Sequence, residues 1–287
     1  MSDYLTSGLH DDVSHQRYHA DPSERPSLSS HLAGILLARS PAHAKLSHPR
    51  FGGAFPEKPS DEMNVGSIIH GLLLGGGADV VEIDAENYRT KAAQEARDAA
   101  YQAGKVPILH HKYEALLSTV EEIKRVLPVD FADSRREVTA IWKSDGCPCR
   151  ARLDSLFDDW AIVDLKTCEN ANLSSESRSM FSFGYHRQAV ANIEAVETLI
   201  PEAAGRVKFF DLFVETAPPY GVIMAELAGD FRDLGQRQWK RAKSLWAQCL
   251  ATDTFPGYPP SKIVTAPAWA MNEEMGAAIA AAGPPAF

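Results

Sequence analysis

Residues 149–167 read Cys149-Arg-Ala-Arg-Leu-Asp-Ser-Leu-Phe-Asp-Asp-Trp-Ala-Ile-Val-Asp-Leu-Lys-Thr167, and the fold turns on them. Apolar and β-branched residues flank a polar break at Asp158-Asp159, which predicts two strands joined by a tight turn. On the second strand Asp164 and Lys166 are two apart, so both side chains leave the same face. Arg150, Arg152 and Asp154 share a face of the first strand, and closing the hairpin brings Asp154 beside Asp164. Two readings stand open at this point. Lys166 can neutralise Asp164 or Asp154 as a surface ion pair. Alternatively, the carboxylates hold magnesium or manganese while the lysine positions or deprotonates an attacking water.

Upstream, Arg135–Lys143 is a predicted strand leading through Ser144-Asp145-Gly146 into this hairpin, which makes a three-stranded antiparallel meander. Glu137 lies on its first strand, either as a third carboxylate or as an ordinary surface residue. Further back, Ser60 or Asp61 can cap a helix holding Gly66-Ser67-Ile68-Ile69-His70 and stopping at Gly75-Gly76-Gly77. Gly66 and His70 are one turn apart, so the helix backbone can approach another element closely where His70 projects. Alone, a histidine on so apolar a helix is more often a satisfied core residue than a ligand. Residues 1–26 are polar and are expected to form a flexible arm. Leu28, Leu32, Ile35 and Leu36 mark an amphipathic helix broken before Pro41, and Ser40-Pro41 starts another. A short strand at Val80–Ile83 and helices at about Thr90–Ala103 and His110–Val126 complete this half.

Downstream, helical segments are expected at about Ser174–Phe181 and Gly184–Leu199. In the second, Tyr185, Gln188 and Asn192 form a polar stripe that can brace a site or meet a nucleic-acid backbone. Val207–Glu215 and Val222–Leu227 read as strands that extend the sheet. Asp230–Leu250 reads as a long helix carrying Trp239 and Trp246 seven residues apart, packed on one sheet face. The expected division is an arm over 1–26, one domain over 27–270 and a tail over 271–287.

With 287 residues, 45% of them hydrophobic, the chain can bury a substantial core. Its net charge of -9 excludes a protein that coats nucleic acid through overall basicity, but not an enzyme with basic residues in a channel. Cys147, Cys149, Cys168 and Cys249 form no paired CxxC arrangement, so they read as reduced structural thiols. No long apolar run or leader pattern is present, which gives the expectation of a soluble cytoplasmic protein with no membrane association. There is no phosphate-binding loop, dinucleotide fingerprint or internal repeat.

Taken together, these residues resemble the PD-(D/E)XK nuclease superfamily. The likeness is to phage and prophage exonucleases of the exodeoxyribonuclease VIII (RecE) type, and more distantly to the RecB nuclease domain and lambda exonuclease. Gly66 to His70 matches the family's glycine-x-x-x-histidine helix, in which the histidine is a metal ligand. Asp154 matches the first aspartate, with Leu153 in place of the eponymous proline. Asp164-Leu165-Lys166 matches the D-x-K core, where the carbonyl of the middle residue also binds metal. Tyr185-His186-Arg187-Gln188 resembles the tyrosine and glutamine helix that follows, and Glu137 corresponds to an additional acidic residue. The implied fold is α/β (α+β), a restriction-endonuclease-like core with a central mixed sheet flanked by helices and helical N-terminal additions.

The resemblance implies a metal-dependent, ATP-independent exodeoxyribonuclease that degrades linear double-stranded DNA 5′ to 3′ and leaves 5′-phosphates. His70, Asp154, Asp164 and the Leu165 carbonyl would hold Mg²⁺, with Mn²⁺ able to substitute. Catalysis would rest on Lys166, Asp164 and Asp154, with Glu137 and Gln188. Arg150, Arg152, Tyr185 and Gln188 are the expected DNA contacts. Double-stranded DNA ends, a single-strand annealing protein and a homo-oligomeric ring of three or four are the expected partners, in the bacterial cytoplasm and encoded by phage or prophage. An endonuclease with the same site and an inert DNA-binding accessory are the rival readings.

Overall fold

The computed structural model describes residues 4–52, 61–75, 79–172, 178, 180–261 and 263–282. Strand β4 (Ser134–Ser144) pairs antiparallel with β5 (Cys147–Phe157) from Ser134↔Phe157 to Ser144↔Cys147. Asp145 and Gly146 connect them with φ of 49° and 80°, the positive values that a two-residue hairpin of matching twist requires. After the turn at Asp158-Asp159, β6 (Ala161–Cys168) returns antiparallel to β5, which completes the expected meander. Beyond it, β7 (Lys208–Glu215) lies parallel to β6, and β8 (Val222–Glu226) antiparallel to β7. With β1 (Gly8–His10) on the free edge of β4, the result is a six-stranded mixed sheet in the order β1-β4-β5-β6-β7-β8.

A parallel β6–β7 pair needs a crossover, and helix α7 (Tyr185–Leu199) supplies it across one face of the sheet. On that side α7 packs with α8 (Gly229–Thr252) and α2 (Ser30–Ala38), burying Leu32, Leu36, Trp142, Trp239 and Trp246. Gly235 permits the close approach of α8 to α7, because a Cβ there would stand 2.3 Å from the His186 carbonyl oxygen. On the other face, α4 (Asp61–Leu74) and α6 (His110–Val126) bury Ile69, Leu74 and Ile123 against Leu165, Leu212 and Val214. Alternation along β6 serves both layers, with Ile162 on the α7 side and Val163 and Leu165 on the α4 side.

The structure departs from the sequence expectation in three places, the last at the C-terminal end. Val106–Leu109 is a strand, β3, that pairs parallel with β2 (Val80–Ile83) across α5 (Lys91–Gln102) and stands apart from the main sheet. Only four residues between two strong helical patterns gave it too little periodicity to register. The arm is the second correction. Gly8–His10 forms β1, an edge strand on β4, and α1 (His15–His19) follows it.

Asp21 then anchors the segment. It accepts Ser27 N–H at 2.8 Å and Ser27 Oγ–H at 2.7 Å, and lies 3.1 Å from His48 Nε2 and 3.4 Å from Arg150. Local polarity suggested solvation, whereas Asp21 pairs with His48 and Arg150, partners distant in sequence that no periodicity reveals. Ser40 caps α3 (Pro41–Ser47) with proline in its first turn, as expected.

Chain contacts divide the molecule into Met1–Pro256 and Gly257–Phe287. Within the second unit, Ala268–Ala282 forms helix α9, where the sequence suggested only a tail. Ser60, Gly76 and Gly77 lie outside the described residues, as does most of Ser174–Phe181. No helix among the described residues is long and apolar enough to cross a membrane. None of the four cysteines is in a disulfide.

Candidate active site

The site forms where β5 and β6 part. Their ladder pairs Ser155 with Val163 and Leu156 with Ile162. At the next step the Asp154 carboxylate takes the place of a strand carbonyl and accepts Leu165 N–H at 2.8 Å. Opposite Asp154, Glu137 leaves the β conformation. Arg136↔Ser155 and Val138↔Leu153 keep register around it, while Glu137 itself has φ 56°. A left-handed glutamate inside a strand costs about 1–2 kcal/mol, the kind of strain found at functional sites.

The side chains converge on His70 of α4. His70 Nε2 lies 2.8 Å from Asp154 Oδ2, and Nδ1 lies 3.3 Å from Glu137 Oε1. One ligand atom from each of His70, Glu137 and Asp154 falls within 4.8 Å of the others. Gly66 allows the helix to lie on β6, since a Cβ there would be 3.0 Å from Thr167 Oγ1. This is the close approach expected from the Gly66–His70 spacing.

Beside this trio stands a second group. Lys166 is ion-paired with Asp164, and Gln188 of α7 ties the pair together. Its Oε1 accepts Lys166 Nζ–H at 2.9 Å, and its Nε2 donates to Asp164 Oδ1 at 2.7 Å. The Lys166 ammonium also lies 4.3 Å over the Tyr185 ring, on which the exposed Phe183 stacks at 5.7 Å. Asp211, on β7 in register with Asp164, is fully buried.

The electrostatics follow from crowding four carboxylates around His70, Lys166 and Arg152. Burial would lower His70, but Asp154, Glu137 and Asp164 raise it to about 9. Burial pushes the Asp154 carboxyl up, and the charge and hydrogen bond of His70 outweigh this and hold it low. Burial and the Asp154 charge push Asp164 up to about 6 against the pull of Lys166. For Lys166, burial is overcome by Asp164, Asp211 and Asp154, which hold its ammonium well above the ordinary range. Burial takes Asp211 up to about 7, with Lys166 opposing and Asp164 and Asp154 adding to the rise. Without further positive charge, the lysine is therefore a firm cation rather than a base.

Of the expected residues, His70, Glu137, Asp154, Asp164, Leu165, Lys166, Tyr185 and Gln188 come together. The two arginines do not serve as expected. Arg150 is buried and donates to Ser27 O at 2.7 Å and Ser27 Oγ at 2.9 Å while pairing with Asp21, so it has no free face for a phosphate. Arg152 pairs with Glu137 and donates to Val13 O at 2.7 Å. It holds the strained glutamate in place. Both were misread because the N-terminal segment covers that face of β5. Asp211 was missed, although an aspartate in the centre of the apolar run Lys-Phe-Phe-Asp-Leu-Phe-Val-Glu at 208–215 was a visible signal.

A protein from Eubacterium rectale, provisionally described as an exonuclease, has a solved structure that superposes with a TM-score of 0.55 at 12% identity, covering 95% of this chain and 98% of its own. At that identity the likeness is one of fold. The solved structure of SSO0001 covers 69% of this chain and 82% of its own at 11% identity with a TM-score of 0.24, which carries no weight. No curated protein matches. The model of a PDDEXK-like domain of unknown function (DUF3799) matches residues 36–261, spanning His70, the hairpin and the α7 glutamine that the site geometry singles out, and the chain belongs to that family.

Proposed function

We propose that the protein is a divalent-metal-dependent exodeoxyribonuclease that degrades linear double-stranded DNA from its ends, 5′ to 3′, to expose single strands for annealing. The observation that carries this reading is the juxtaposition of the His70, Glu137 and Asp154 trio with the Asp164–Lys166–Gln188 group. An imidazole and carboxylates from three separate elements are a donor set suited to Mg²⁺ or Mn²⁺. The cations now facing these carboxylates are His70, Lys166 and Arg152, and an ion would take the place of the His70 proton, so the site suits a cation by charge as well as by donor type. His70, Asp154 and Asp164 would hold it, with the Leu165 carbonyl and Glu137 beside them. Such an ion, when bound, supplies Lewis-acid stabilisation of phosphoryl oxygens and acidifies water.

The chain's own residues do the rest. Asp154 fixes the hairpin fork through Leu165 N–H, so the ligand positions do not depend on the ion alone. Lys166 presents N–H donors and a positive charge where a phosphodiester would carry its developing negative charge. Gln188 holds that ammonium at a set distance from Asp164. A ring of three or four subunits and a single-strand annealing partner belong to the same reading, because a chain of net charge -9 gains processivity by encirclement more readily than by general attraction. Duplexes with phosphorothioate linkages at either the 5′ or the 3′ termini test the polarity. Protection by the 5′ blocks alone, with 5′-phosphate products, is expected, and equal digestion of both substrates would refute it.

A further inference from the structure

Among the described carboxylates, Asp211 stands out by its surroundings. It is fully buried at the centre of β7, and neither of its oxygens has a hydrogen-bond partner. A buried carboxylate left this way is costly, and a fold seldom keeps one without a use. Parallel register sets it directly beside Asp164, so both side chains leave the same side of the sheet. That side also holds Lys166, two residues along β6, whose present partners are Asp164 and Gln188.

Resting on the reading of Asp164 as a metal ligand, the geometry points to a use for this spare charge. When Asp164 turns its oxygens to a cation, Lys166 loses its carboxylate and needs another close by. We propose that Asp211 is a positioning residue that receives the Lys166 ammonium in the metal-loaded state and so frees Asp164 to act as a ligand. Gln188 keeps its hold on Lys166 Nζ through the change, and Asp211 itself touches neither metal nor substrate. No bond is made or broken, and only the counter-charge of the lysine changes.

The test is Mn²⁺ binding by calorimetry, without DNA, in the wild type, Asp211→Asn, Lys166→Met and the double variant. Loss of the second counter-charge makes Lys166 compete with the ion for Asp164, so Asp211→Asn is expected to weaken binding about tenfold. In the Lys166→Met background the same change should alter affinity by less than about twofold. The metal-free Asp211→Asn protein should melt no lower than wild type, because an unpartnered buried carboxyl group has gone. Asp211→Ser serves if the asparagine variant does not fold. An equal loss in both backgrounds would make Asp211 a direct ligand and overturn the proposal, as would no loss in either. A wild type that binds no Mn²⁺ would overturn the metal reading itself, a result distinct from a silent Asp211 in a protein that binds the ion.

Discussion

Replacing Asp21 with asparagine tests whether the N-terminal segment is part of the fold. The wild-type carboxyl is held at about 2, against an ordinary 3.8. Burial pushes it up, but hydrogen bonds from His48 and Ser27 and the Arg150 charge outweigh that. At ~1.4 kcal/mol per unit, the depression corresponds to about 2.5 kcal/mol of stability. Arg150 would also be left buried without its carboxylate, so the loss should lie between about 2.5 and 4 kcal/mol. Because the folded value is the lower one, this stability is fully present above 3.8 and disappears as pH falls through about 2. Urea unfolding of wild type and Asp21→Asn at about pH 7 should show the full difference, and repetition at about pH 2.5 should show it mostly gone. A difference below about 1 kcal/mol near neutrality, or one independent of pH, would refute this anchoring role of Asp21.

Three further outcomes follow from the site and its supports. Mg²⁺ or Mn²⁺ at about a hundred times its dissociation constant should stabilise the protein by about 2.7 kcal/mol in thermal melts, and His70→Ala or added EDTA should abolish the shift. Lys166→Met should keep that melting shift while losing DNA cleavage in a gel assay, since it removes the donor and not the ligands. Gly235→Ala should destabilise by roughly 1–3 kcal/mol in urea unfolding, because its methyl would meet the His186 carbonyl oxygen and force α7 and α8 apart.

The hairpin, the histidine helix and the glutamine helix were legible because each follows from spacing along one segment. Asp164 and Lys166 share a face by strand geometry, and Gly66 prepares the approach of His70 by helix geometry. What the sequence concealed depends on segments far apart. Arg150 looked free only because nothing local announces that Asp21 and Ser27 lie over it. The left-handed backbone at Glu137 is likewise imposed by the site around it, where Arg152 and His70 engage its carboxylate. Asp211 stood in plain view within an apolar strand, but its meaning depends on the register that sets it beside Asp164.

The most direct test of the account compares linear duplex with covalently closed circular duplex in the presence of Mg²⁺ and again with EDTA. Progressive loss of linear DNA, closed circles left intact and no reaction in EDTA are the expected results. Nicking of the supercoiled circle at a rate comparable to loss of linear DNA would contradict the end-dependent reading. Absence of cleavage of either substrate, with Mg²⁺ or Mn²⁺ supplied, would contradict the nuclease reading altogether.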